Sequence, residues 1–536
     1  MRKTAALTLA SRALVVAALA AGGPAWAQST PGAAPPLRLP SLGEASSEAL
    51  PVATERRYGE QIMLQLRRDP AWLDDPVLLD YVQSLWQPLL AAARRRGDIE
   101  PDVDNAFAWD IFLLRERTLN AFALPGGRVG VHLGLIAATA SSDELASVLA
   151  HELAHLSQRH IARGIASASR QSGVATVAMV LGALLAARAG SPDLAQAAIA
   201  GGQASLIQGQ LNFSRDMERE ADRIGHGVHV EAGFDAAGSV AMFDRLDQSA
   251  RLNDAGSLPY LRTHPLTTER LAEARTRLPA QGTPGPLSTP EHTLMQARAR
   301  ALAASGADAL RRLVEAAAAG SRNDAGGLYA GALAASKLGD HGRAQTLAQA
   351  LASTVGTPSS DSTTASQGPA RCSLPVTLLR AELALARGDA SVAQGLLETC
   401  APAPPTRAAL LLRAQADAVG LTQAREGARE ATAQTLALRA SVQDLQTWLA
   451  SHPQDAAAWG VLARGADALG LTLRALRAQA EERAALGDLD AAIDRLRGAQ
   501  QVARQRGRED FIEASVIDAR LRQFEAQRRQ RAADMR

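Results

Sequence analysis

The chain has 536 residues, 57 Lys+Arg against 55 Asp+Glu, a formal charge of +2, and only 3% aromatic residues. Its length allows more than one domain, and the near balance of charge excludes a basic-patch nucleic-acid binder, so no nucleic-acid partner is expected. Lysine occurs only at Lys3 and Lys337; arginine carries the remaining positive charge, which together with abundant alanine reads as genomic base composition.

The N-terminus places Arg2 and Lys3 before an apolar run at 13–21 and the small-residue site Ala25-Trp26-Ala27. This is the arrangement of a cleavable secretory signal, so residues 1–27 are expected to be removed and the mature chain to reside in the periplasm of a Gram-negative-like cell. Losing Arg2, Lys3 and Arg12 takes the charge to −1, and with no cysteine near the site a lipid anchor is not expected. Residues 28–50 read as a linker and 51–280 as the first folded domain. Within it, 108–116, 119–124 and 128–133 read as short strands, the last two joined by Pro125-Gly126-Gly127.

Next comes His151-Glu152-Leu153-Ala154-His155 among uncharged neighbours. On a helix, positions i and i+4 share a face, so both imidazoles can hold one zinc ion while Glu152 reaches the adjacent water as general base. Ser141 and Glu144 are spaced as a capping box, predicting a helix over 142–163. His132, His160, His226 and His229 are read as packing or surface residues. Residues 173–187 form an uncharged stretch of about 15 residues, whereas a bilayer span takes about 20. It is expected to be buried or to contact a membrane surface or client rather than to cross.

Downstream, Glu218 and Asp222 would share a helical face. Glu218 is the expected third zinc ligand, with Asp222 accepting the outer N–H of a ligating histidine and fixing its tautomer. Glu220, two residues from Glu218, is the alternative assignment. Residues 281–289 carry linker residues, and 290–510 change to alanine- and leucine-rich paired helices. Gly339-Asp340, Gly388-Asp389 and Gly487-Asp488 are each followed by alanine five residues after the glycine, at Ala344, Ala393 and Ala492. The 99-residue interval approximates three tetratricopeptide periods of about 34, and the shorter one adds an insertion at 354–369. Such an array is a protein-binding surface. Cys372 and Cys400 are expected to form a structural disulfide across a helical hairpin in an oxidising compartment. Residues 511–536 read as a charged, solvated terminal helix and tail.

His151-Glu152-Leu153-Ala154-His155, Glu218 to Asp222, and Thr263-His264-Pro265 together resemble the HtpX-type and CAAX-prenyl-protease-type zinc metallopeptidases. The likeness covers roughly residues 50–280 and is nearest to their periplasmic branch of β-barrel assembly-enhancing proteases, in which the peptidase precedes tetratricopeptide repeats. It implies an α+β gluzincin-type domain followed by an all-α repeat solenoid, one Zn2+ per chain held by His151, His155 and Glu218, and Glu152 as catalytic carboxylate. It also implies unfolded or misassembled envelope proteins as clients, with outer-membrane assembly machinery as a partner. His264 is the first candidate for oxyanion stabilisation, or for occupying the open zinc position, against a structural histidine. Residues Asn120, Ala121, Phe122 and Ala123 are the guess for an edge strand that aligns extended substrate by backbone pairing. The competing class is a mainly non-proteolytic chaperone or scaffold with a latent zinc site.

Overall fold

Asp75 starts the helix around which both halves of the chain are assembled: its side chain accepts from the Leu78 N–H at 2.9 Å, Pro76 opens the first turn, and Gly97 at φ 75° closes the last. A computed structural model describes residues 50–172, 214–252, 259–278, 289–321, 323–356, 372–400, 404–424, 428–506 and 511–533. The expectations for 1–27 and 173–187, and most of those for the linkers 28–50 and 281–289, lie outside these residues. Chain order begins α1 (Val52–Leu66), β1 (Trp72–Leu73), α2 (Pro76–Arg96), α3 (Pro101–Ala106), β2 (Asp110–Leu114), β3 (Ala121–Leu124) and β4 (Arg128–His132).

The four strands lie in the order β1-β2-β4-β3, with β2 and β4 parallel and the outer pairs antiparallel. The three predicted strands are present but shorter, and the Arg115 N–H, bonded to Ala71 O, carries the β1–β2 pairing one residue past the end of β2. Strand β1, two residues long, carries too little pattern to be read from sequence. Gly126 and Gly127, at φ 78° and 84°, make the β3–β4 turn in the left-handed region that glycine favours. Among the described strands β3 pairs only with β4, leaving one edge facing the next major helix.

That helix is α5 (Ser142–Ser157), which follows α4 (Leu133–Ala138). Ser141 Oγ accepts from the Glu144 N–H at 3.1 Å, while the Glu144 carboxylate reaches back one residue further than expected, to Ala140 N–H at 2.8 Å. The predicted helix over 142–163 is in fact two. Arg159 adopts φ 52°, its guanidinium tied to Glu55 Oε2 at 3.0 Å and Leu50 O at 2.5 Å, and α6 (His160–Ser172) begins after it in a new direction. Helices α7 (Arg215–Glu231) and α8 (Ala237–Leu252) then pack on α5, followed by α9 (Pro259–Thr263) and α10 (Thr268–Thr276). Gly225 of α7 lies so close that a Cβ there would sit 3.0 Å from Ala150 O and 3.1 Å from His151 Cα. A side chain there would require the two helices to give by a few tenths of an ångström.

The rest of the described chain is helical: α11 (Pro290–Ala303), α12 (Ala307–Ala319), α13 (Ala325–Lys337), α14 (His341–Gly356), α15 (Leu374–Ala386), α16 (Ala390–Thr399), α17 (Arg407–Ala424), α18 (Ala428–Ser451), α19 (Ala456–Ala468), α20 (Thr472–Ala485), α21 (Leu489–Arg506) and α22 (Phe511–Ala533). From α12 on, each helix packs on the next. The three Gly-Asp fragments are left-handed turns with φ between 79° and 85°, and Ala344, Ala393 and Ala492 are buried where a larger side chain would hold the helices apart. Gly388 ends α15 and Gly487 ends α20, so five helices separate the turns. Three two-helix units would need six; the long α17 and α18 take up the difference. Cys372 and Cys400 form a disulfide joining the start of α15 to the end of α16. Helix α22 is less solvated than expected, since Ile517, Leu521 and Phe524 are buried against its neighbours.

One apolar cluster runs from Leu73 through the sheet, α2 and α5 into α11–α17, ending at Ala416, so the linker at 281–289 marks no break in the core. Arg298 of α11, buried, clamps Asp75 at 2.7 and 2.8 Å, Glu382 at 2.7 and 2.9 Å, and the Tyr329 hydroxyl at 3.1 Å. Arg407 joins Asp74 and Asp455 in the same way. Replacing Arg298 by Met leaves two carboxylates buried without their cation, and should lower stability by about 3–5 kcal/mol in denaturant titration of the oxidised protein. A loss below about 1 kcal/mol, the range of exposed pairs, would show that these carboxylates are rehydrated instead.

Candidate zinc centre and its supporting shell

Helix α5 places His151, Glu152 and His155 on adjacent positions of its buried surface, and the glycine contact with α7 brings Glu218 and Asp222, one turn apart, to the same point. His151 Nε2 and His155 Nε2 are 3.0 Å apart, Glu218 carboxylate oxygens lie 3.5 and 3.4 Å from them, and His264 Nδ1 lies 3.3 Å from His151 Nε2 and 3.0 Å from Glu218 Oε1. All four donor atoms fall within 4.8 Å of one another, and all four residues are buried. A tetrahedral zinc ion with bonds of about 2.0–2.1 Å sets its donors roughly 3.3 Å apart, so this cluster fits the ion in chemistry and spacing.

The structure thus gathers His151, His155 and Glu218 with His264, from the segment after α9. Glu152 is fully buried; His264 Nε2 stands 3.4 Å from its Oε1, and the Ala123 backbone N–H is directed at its carboxylate. Asp222 Oδ1 lies 3.0 Å from His151 Nδ1. Asn120, Ala121, Phe122 and Ala123 lie at or in the edge strand β3 beside α5, all four buried, with Phe122 packed between Phe112 and His132, so only backbone atoms of this strand are available for pairing. Two residues of the centre were not anticipated. Arg270 of α10 grips Asp222 at 2.6 and 2.8 Å and reaches Glu218 Oε2 at 2.9 Å. His160, expected as packing or surface, is buried with Nδ1 2.9 Å from His155 Nδ1, while Glu220 turns away from the cluster to bond its other nitrogen at 3.0 Å. No spacing rule flags either, because Arg270 arrives from a separate helix and His160 follows the break at Arg159.

Charge and burial compete throughout. Burial alone would lower the His151 pKa, but the Asp222 and Glu218 carboxylates raise it to about 10. Burial works against the Glu218 anion too, yet His264 and His151 hold its pKa well below the ordinary carboxylate value. Glu152, by contrast, is raised by burial, with His264 and His151 pulling in the other direction. His155 is pushed well down by burial and by His151.

Residues 82–278 match the family model Peptidase family M48. They form an M48 peptidase domain. The chain is 40% identical over 242 residues to a Vibrio cholerae protein provisionally named a beta-barrel assembly-enhancing protease, covering 45% of this chain and 48% of that one. It is 34% identical over 267 residues to the beta-barrel assembly-enhancing protease of Escherichia coli, covering 49% and 51%. It is 36% identical over 175 residues to the mitochondrial metalloendopeptidase OMA1 of Schizosaccharomyces pombe, covering 32% and 47%. The chain thus spans about half the length of the curated relatives it matches, and the M48 segment takes in every side chain of the cluster.

Because zinc takes a neutral imidazole, the proton that keeps His151 charged up to pH about 10 must leave on binding. Below that pH the proton competes, and raising the pH removes it. Apparent zinc affinity of the metal-free protein should therefore rise roughly tenfold per pH unit between pH 7 and 9, with about one proton released per ion. Chelator competition at several pH values measures this; a flat profile would mean that His151 is already neutral.

Proposed function

We propose that the mature chain is a periplasmic zinc metalloendopeptidase that degrades misfolded or stalled envelope proteins, outer-membrane β-barrels among them, and that its site rests in a closed form. The observation that carries this is the fully buried Glu152 carboxylate held beside His151, His155 and Glu218. A bound zinc ion supplies a Lewis acid for the scissile carbonyl and lowers the pKa of attacking water. Glu152 takes the proton from that water and passes it to the leaving amine, a role its upward-shifted pKa suits. The outer edge of β3 aligns extended substrate through backbone hydrogen bonds within Asn120 to Ala123.

Closure is the work of His264. Its Nδ1 faces the ligand atoms and its Nε2 faces Glu152, so the ring stands where water and substrate must enter. Catalytic zinc sites keep one position open, and His264 as fourth donor fills it. Opening requires the segment after α9 to withdraw. Helices α11–α22, read as tetratricopeptide-type units despite the irregular spacing, recruit clients or the assembly machinery, with the names of the bacterial relatives pointing to β-barrel assembly. Export rests on residues 1–27, and contact of 173–187 with a membrane or client is part of the same reading. No described helix is long and apolar enough to cross a membrane.

In time-resolved cleavage of casein or an unfolded outer-membrane protein by the zinc-loaded chain, Glu152→Gln should lose about 10²–10⁴-fold in rate at unchanged zinc content. His264→Ala should cut faster than wild type. If neither wild type nor the His264 variant cuts while Glu152→Gln retains biological function, the chain is a scaffold with a latent site, a reading favoured by the complete burial of Glu152.

A further inference from the structure

We propose that His160 and Glu220 are positioning residues for the zinc site: they form a relay that fixes the tautomer and ring orientation of His155. The inference rests on the zinc reading of the cluster. His155 directs Nε2 at the other donor atoms, so its lone pair is there and its proton is on Nδ1. Nδ1 lies 2.9 Å from His160 Nδ1. Two ring nitrogens at that distance share one proton, so His155 donates and His160 accepts. His160 then carries its own proton on Nε2, which donates to Glu220 Oε2 at 3.0 Å, and Arg163 Nη1 donates to the same oxygen at 2.7 Å. This proton order runs from Arg163 to His155 with both imidazoles neutral.

The backbone is shaped for this contact. Along an unbroken helix, residues five apart diverge by about 140° around the axis, so His160 would point away from His155. The left-handed turn at Arg159, φ 52°, ends α5 and returns the chain so that His160 covers the outer face of that ring. An arginine in this conformation is strained, and it is held by Glu55 and Leu50 at the start of the domain. The two ligating histidines are therefore oriented differently: His151 directly by the Asp222 carboxylate, His155 through a second imidazole. Glu220, the neighbour that competes with Glu218 in the linear sequence, acts one shell out.

The test uses the full mature chain as wild type, His160→Ala, His160→Asn and Glu220→Ala, with folding checked by circular dichroism. Zinc affinity is read by chelator competition, and site geometry by the visible absorption of the cobalt-substituted protein. His160→Ala should weaken zinc about 10- to 100-fold and shift the cobalt bands. Glu220→Ala, at a half-buried position that does not threaten the fold, should shift affinity in the same direction by less. His160→Asn, whose amide oxygen sits near the place of Nδ1, should recover part of the loss. Wild-type affinity and spectrum in all folded variants would overturn the relay, as would a loss in His160→Ala that Asn does not relieve and Glu220→Ala does not share. If wild type binds neither ion, the zinc reading itself falls and the relay with it.

Discussion

Ionisable side chains buried at one point are costly unless each finds a partner, and the peptidase domain is organised around meeting that demand. Glu152, His151, His155, Glu218, Asp222, His264 and Arg270 are all buried between α5, α7, α10 and the segment after α9. The Glu218 and Asp222 carboxylates face the imidazoles of His151, His155 and His264, with Arg270 closing the set from outside. Glu152, fully buried, faces His264 Nε2 at 3.4 Å. Burial raises its pKa, against the pull of His264 and His151.

The helix–helix approach at Gly225 makes this arrangement geometrically attainable. Glu218, Asp222 and Gly225 lie on one face of α7, and the missing side chain at Gly225 lets that face come within contact of the His151 backbone. The carboxylates then meet the imidazoles at hydrogen-bonding distance. Stability in this region depends on the same contact as chemistry does, since separating α7 from α5 would strand the charges on both.

The helical half is fused to this domain through charge as well as through apolar packing. Arg298 and Arg407 each hold carboxylates from both sides, and both reach the chain at Asp74–Asp75, where α2 begins. Anchoring at a helix start makes α2 a common support for the sheet, the zinc helix and the helical array. The array therefore presents its surfaces at a set orientation to the peptidase domain.

Some of this was legible in the linear chain. The His-Glu-x-x-His spacing, Glu218 with Asp222 one turn apart, the glycine turns and the strands at 108–133 are local patterns that follow from periodicity and turn chemistry, and the Cys372–Cys400 pairing followed from two cysteines flanking one helical hairpin. The short β1, the break at Arg159, the placement of His160, the arrival of Arg270, the ring of His264 between Glu218 and Glu152, and the irregular phase of the helical array were decided by tertiary structure. Each depends on segments distant in sequence meeting in space, or on one residue taking a strained conformation that long-range contacts hold. Periodicity determines which face a residue occupies, and only packing determines what that face meets.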